Sequence, residues 1–264
     1  MPSAAQRRLR RGAYVLPSLF TFGNILLGFY AVVCAFHGHF VTAAWMIIAA
    51  GIADGLDGRI ARLTHTESEF GKEFDSLADV LTFGSAPAYI VWLWALEELG
   101  RAGWLVPLYF LLCTAVRLAR FNVQTKKVDS RSFVGLPSPA AAGTVASLLF
   151  LHAQIPDIVT KPWLAGVMLT ALIVLGTLMV STFRYPSMKK IDLRRRWSYR
   201  AALLFGVALL VLFLEPVIFF QLFAACYVAW GPLAYVGGRL RRRIGTGAAS
   251  TDDGTEPTGE PLTE

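Results

Sequence analysis

The chain has 264 residues, 55% of them hydrophobic and only 16% charged, with a formal net charge of +7. A soluble domain carries roughly 45–50% apolar and about 25% charged residues. With a mean hydropathy of +0.52, the composition excludes an ordinary soluble enzyme and predicts an all-α integral membrane protein.

Apolar stretches predict about eight transmembrane helices. The first is Val15–Phe36, behind Arg7, Arg8, Arg10 and Arg11. It is too long for a signal-peptide core of about 7–15 residues and reads as a span. The second runs from Thr42 to about Arg62 and the third from about Asp75 to Leu96. The fourth is Trp104–Phe121, and a polar loop with Gly135 and Pro137 follows. The fifth is short, Pro139 to about Ile155. The sixth is Trp163–Phe183, the seventh Ala201–Leu214 and the eighth Val217–Val236. Residues 1–244 thus form one multi-span domain. The Gly/Thr/Asp/Glu/Pro tail 245–264 has little to bury and is expected to be a disordered cytosolic tail.

Charge distribution sets the expected topology. With eight spans, all of the 25 Lys and Arg except Arg101 and Lys161 fall on one side. The positive-inside rule makes that side cytosolic, with both termini on it. The basic residues then serve as topology signals that also attract anionic membrane lipid, and nucleic-acid binding is not needed to explain them. Cys34, Cys113 and Cys226 lie in separate apolar stretches and read as small buried hydrophobes. They suggest neither a disulfide framework nor a zinc site.

The chemistry concentrates between the second and third spans. Asp54, Asp57, Asp75 and Asp79 follow one another at spacings of 3, 18 and 4. On helices, offsets of 3 and 4 place side chains on one face. Carboxylates near a membrane are costly unless a cation holds them. Two facing carboxylate pairs therefore suit a hard divalent cation, Mg²⁺ or Mn²⁺. Metal at a membrane surface points to a phosphate or pyrophosphate substrate. Gly58 and Gly71 allow close approach to the backbone, and Arg62 suits a phosphate partner. A set of solvated helix-end charges is the plainer reading. The two pairs, with glycines and an arginine between them, weigh against it.

The pattern D-x2-D-G-x2-A-R-x8-G-x3-D-x3-D, filled by Asp54, Asp57, Gly58, Ala61, Arg62, Gly71, Asp75 and Asp79, resembles the signature of the CDP-alcohol phosphotransferase family. Leu16–Asn24, Glu69–Gly84, Arg117–Asn122 and Phe133–Ala140 resemble its serine-accepting branch, and the likeness covers roughly Leu16 to Gly143. The resemblance implies a metal-assisted transfer from CDP-diacylglycerol to L-serine, with CMP released. It implies Asp54, Asp57, Asp75 and Asp79 as metal-site residues, with Asp79 also the general base. Gly58, Ala61, Arg62 and Gly71 are then CDP-contacting positions, and Thr21 and Asn24 either line that pocket or bond between helices. Arg117 and Arg120 lie three apart, and one of them is expected to meet the serine carboxylate, with Asn122 a weaker candidate. A homodimer in the cytoplasmic membrane, with its active site at the cytosolic interface, is also implied. Another acceptor (glycerol 3-phosphate, inositol phosphate or choline), a membrane prenyltransferase and a divalent-cation transporter stay as rivals. A transporter places its acids near the bilayer midplane, and the expected topology does not.

Overall fold

The computed structural model describes residues 4–63, 68–124, 133–154, 161–185 and 199–248. Helix α1 spans Ala4–Phe36, and a turn through Gly38, at φ +78°, reverses the chain into α2, Phe40–Leu63. Helix α3, Glu69–Asp79, opens on Ser68, whose Oγ accepts the Gly71 amide at 3.0 Å. That cap starts the third helical run at Glu69 rather than near Asp75 and draws Gly71 into the helix. The run continues through a π turn at Val80–Ser85, α4 (Ala86–Val91), a second π turn at Trp92–Leu96 and a 3₁₀ turn at Glu97–Leu99. After Gly100, at φ +56°, come α5 (Arg101–Gln124), α6 (Ser138–Gln154), α7 (Lys161–Val180), α8 (Tyr199–Leu214) and α9 (Pro216–Ala248).

Among the described residues, six runs are long and apolar enough to cross a membrane: Leu19–Phe36, Phe40–Ala61, Glu69–Leu99, Arg101–Val123, Pro162–Val180 and Pro216–Tyr235. They mark a multi-pass integral membrane protein. The other two expected spans are helices of 17 and 16 residues, α6 and α8. At 1.5 Å per residue they reach about 24–26 Å, short of the roughly 30 Å hydrocarbon core. Helix α9 continues to Ala248, past the expected start of the tail. Residues 249–264 and most of the basic stretch after α7 lie outside the described residues.

Burial is inverted relative to a soluble protein. On α1, Leu19, Phe22, Leu26 and Phe29 are 60–69% exposed, while Thr21, Asn24, Ala31 and Ala35 face inward. Large side chains meet lipid, and small ones let helices approach closely. A Cβ on Gly28 would lie 2.7 Å from Thr82 Oγ1, so only glycine allows this approach of α1 to the first π turn. Cys34 and Cys113 are buried as expected. Cys226 is exposed, because it sits on the sparsely covered helix α9.

Among the described residues, one feature departs from an all-α fold. Strands β1 (Phe133–Val134) and β2 (Arg184–Tyr185) pair antiparallel, Phe133 opposite Tyr185 and Val134 opposite Arg184. Gly135 N donates to Phe183 O at 2.8 Å and Leu136 N to Leu178 O at 3.0 Å. This strap ties the start of α6 to the end of α7. Gly135 holds φ +85°, and a Cβ there would lie 2.2 Å from Met179 O, so a larger residue meets both backbone strain and a clash. The strap also reaches α9. The buried Tyr185 donates its hydroxyl to Val228 O at 3.3 Å, and its ring fills the space a Cβ on Gly231 would take. Burial, with the neighbouring Tyr227, pushes the Tyr185 phenol up to about 12, so it stays protonated and a donor.

Candidate active site

Helices α2 and α3 carry the acids. Asp54 and Asp57 share a face of α2, and Asp75 approaches from α3. One carboxylate oxygen of each lies within 4.8 Å of the others. Asp57 is 5% exposed, and Thr21 of α1 donates its hydroxyl to Asp57 Oδ2 at 3.2 Å. Three carboxylates this close repel one another strongly in a partly desolvated place. The donors are hard oxygens and one is oriented by a hydroxyl, as ligating carboxylates commonly are. The residues fit a divalent cation.

Asp79 lies outside this trio by distance but within its electrostatic reach, interacting with Asp54, Asp75, Asp57 and Arg117. It closes α3, immediately before the first π turn, a type of distortion frequent at functional sites. It is buried, and its Oδ1 has no hydrogen-bond partner among the described residues.

Arg117 of α5 lies within electrostatic reach of Asp79. It is 8% exposed, donates from Nη1 to Ser138 Oγ at 2.8 Å, and leaves Nε without a partner among the described residues. Its charge interacts with Asp79, Tyr227 and Asp54. Two opposite charges are thus buried near each other, each with a polar atom left open. Such atoms call for a bound group.

The structure separates the residues that the sequence grouped with Arg117. A three-residue offset leaves Arg120 close to the Arg117 face of α5, but its side chain takes a different partner. Its Nη1 donates to Val180 O at 3.2 Å, at the end of α7. Asn122 Nδ2 donates to Ser76 Oγ at 3.0 Å and Glu73 Oε2 at 3.3 Å, tying the end of α5 to α3.

The expected CDP-contacting positions lie along the last turns of α2 and the start of α3. Gly58 is exposed and Ala61 half-buried, whereas the Arg62 side chain lies outside the described residues. Gly71 is engaged by the Ser68 cap, which leaves 3.0 Å between that oxygen and a Cβ at position 71. Of the two α1 residues expected near this pocket, Thr21 turns to Asp57. Asn24 is fully buried, with neither side-chain polar atom partnered among the described residues, while its carbonyl accepts from Thr82 Oγ1 at 3.1 Å. Beside Asp54 opens an otherwise largely apolar cavity of about 510 Å³, whose walls include Gly51, Pro137, Thr144, Phe220 and Tyr227.

Sequence reasoning did not single out Ser138 or Tyr227. Ser138 stood between two prolines in a quoted segment, a polar residue heading an apolar helix. That was the one available signal. Tyr227 sat unmarked in an apolar stretch.

The family profile of CDP-alcohol phosphatidyltransferases matches residues 14–173. The chain belongs to that family. Among curated relatives, it is 39% identical over 227 residues to the CDP-diacylglycerol–serine O-phosphatidyltransferase of Helicobacter pylori, covering 84% of this chain and 92% of that one. It is 35% identical to the Mycobacterium leprae protein of the same name, over 83% of this chain and 72% of that one. With the Bacillus subtilis protein of that name it shares 31% identity, over 66% of this chain and 92% of that one.

Proposed function

We propose that this chain transfers the phosphatidyl group of CDP-diacylglycerol to the hydroxyl of L-serine, giving phosphatidylserine and CMP, as a multi-pass protein of the cell membrane. The names of its relatives support the reaction. The observation that carries it at residue level is the pairing of a three-carboxylate cluster with a separate buried acid, Asp79, facing a buried arginine.

Asp54, Asp57 and Asp75 hold a divalent cation, Mg²⁺ or Mn²⁺, which when bound neutralises the charge of the donor pyrophosphate. Thr21 orients Asp57 for that task. Asp79 accepts the proton of the serine hydroxyl. The serine oxygen forms a bond to the phosphorus that bears diacylglycerol, the bond from that phosphorus to the CMP oxygen breaks, and CMP leaves with the electron pair. A carboxylate is a weak base for an alcohol, so positioning and charge stabilisation supply much of the rate. Arg117 receives the serine carboxylate through its open Nε edge, which sets the hydroxyl toward Asp79. Gly58, Ala61, Arg62 and Gly71 line the approach of CDP, with Asn24 beneath. The cavity beside Asp54 takes the apolar part of the donor. In this reading both termini and this site lie on the cytosolic side, which the charge distribution supports, with α6 and α8 as short spans and a homodimer as the assembly.

CMP release tests the reading. Purified protein in detergent receives CDP-diacylglycerol, Mg²⁺ or Mn²⁺, and in turn serine, glycerol 3-phosphate, inositol phosphate and choline. Release that depends on metal, on serine and on Asp79 is expected. Release with another alcohol would keep the family and discard serine as acceptor.

A further inference from the structure

Arg117 is buried on a transmembrane helix, and its guanidinium stays charged at any physiological pH. A buried charge of this kind holds one orientation only where a partner fixes it. The described partner is Ser138, whose Oγ accepts from Nη1 at 2.8 Å. Ser138 itself is 0% exposed. It heads α6 between Pro137 and Pro139, each of which locks its own φ, and it follows the strap that fastens residues 133–136 to the end of α7. Its neighbour Leu136 is likewise 0% exposed. The hydroxyl is therefore anchored by chain from two other elements before it meets α5.

We infer that Ser138 is the positioning residue of the acceptor site: its hydroxyl holds one arm of the Arg117 guanidinium so that the open Nε edge meets the acceptor carboxylate beside Asp79. The inference rests on the serine-transfer reading above. The oxygen occupies Nη1 and thereby sets the guanidinium plane. Arginine grips a carboxylate best in a planar, two-point geometry, so a rotated guanidinium loses affinity for the acceptor without disturbing donor binding. A purely structural hydroxyl would instead affect stability, or both substrates alike.

The test uses full-length wild type, Ser138→Ala and Ser138→Thr, purified in detergent. CMP release is measured against serine at saturating CDP-diacylglycerol, then against CDP-diacylglycerol at saturating serine. Losing a hydrogen bond to a charged group predicts a serine KM raised on the order of tenfold in Ser138→Ala. The donor KM should stay within about twofold, and kcat should change less than the serine KM. Ser138→Thr keeps the hydroxyl and should bring the serine KM back toward wild type. In an Arg117→Lys background, Ser138→Ala should add little, because the two residues act as one unit. An unchanged serine KM, or equal rises in both KM values, overturns the inference. If Ser138→Ala does not fold, Ser138→Cys, similar in size and a weaker acceptor, reads the same split. Wild type that releases no CMP with serine overturns the functional reading itself, before any variant is compared.

Discussion

The acidic cluster and the Asp79–Arg117 pair are both built from buried charge, and they meet its cost in opposite ways. At the cluster, Asp54, Asp57 and Asp75 crowd like charges within 4.8 Å, a geometry that fits a cation. At the pair, Asp79 and Arg117 carry opposite charges, yet each leaves a polar atom without a partner among the described residues. An ion pair made only for stability closes on itself, because an unsatisfied buried charge costs several kcal/mol. This pair does not, which suits the proposed reading that a third, zwitterionic group joins it. On the proposed reading the cluster grips the donor, and the Asp79–Arg117 pair is the pocket that presents the acceptor.

The largest expected effect comes from the acid of the pair. Asp79→Asn keeps the shape but removes the base, and CMP release should fall by roughly 10²–10⁴-fold with both KM values little changed. A fall confined to metal affinity would place Asp79 in the cluster instead. Next, Thr21→Val strips Asp57 of its side-chain donor. The Mg²⁺ or Mn²⁺ concentration for half-maximal activity should rise about 10–100-fold, as for the loss of other supports behind a metal ligand. Measured by titrating metal at saturating substrates, this separates the cluster from the pocket. Arg117→Lys acts on the pocket alone. A point charge replaces the planar fork, and the serine KM should rise by about tenfold or more while the metal requirement holds. The smallest effect is expected from Arg120→Gln, since Arg120 spends its guanidinium on the Val180 carbonyl. Its serine KM should stay within about twofold, and a rise matching that of Arg117→Lys would overturn the division between the two arginines.

The carboxylates were legible early because their relation is local. A spacing of three on α2 sets Asp54 and Asp57 on one face whatever surrounds them. The helices themselves were legible for a similar reason: in lipid, a long apolar segment has to satisfy its backbone internally. Their ends were less so. Ser68 starts α3 six residues early, because a single capping hydroxyl outweighs hydropathy there. Arg117 and Arg120 looked equivalent in sequence. They diverge because α5 packs against the acid-bearing run on one side and the end of α7 on the other.

The sequence by itself determined the membrane class, the acid motif whose oxygens suit a metal, and the residue types that face it. These follow from composition and from helical periodicity, which act over a few residues. The tertiary structure alone decided that Asp75 joins Asp54 and Asp57, that Thr21 serves Asp57 across 36 residues, and that Ser138 holds Arg117 across 21. Each of these depends on how close two helices approach. That distance is set by small residues such as Gly28 and by the Gly135 strap, whose tolerance for close contact shows only once the opposing backbone is in place.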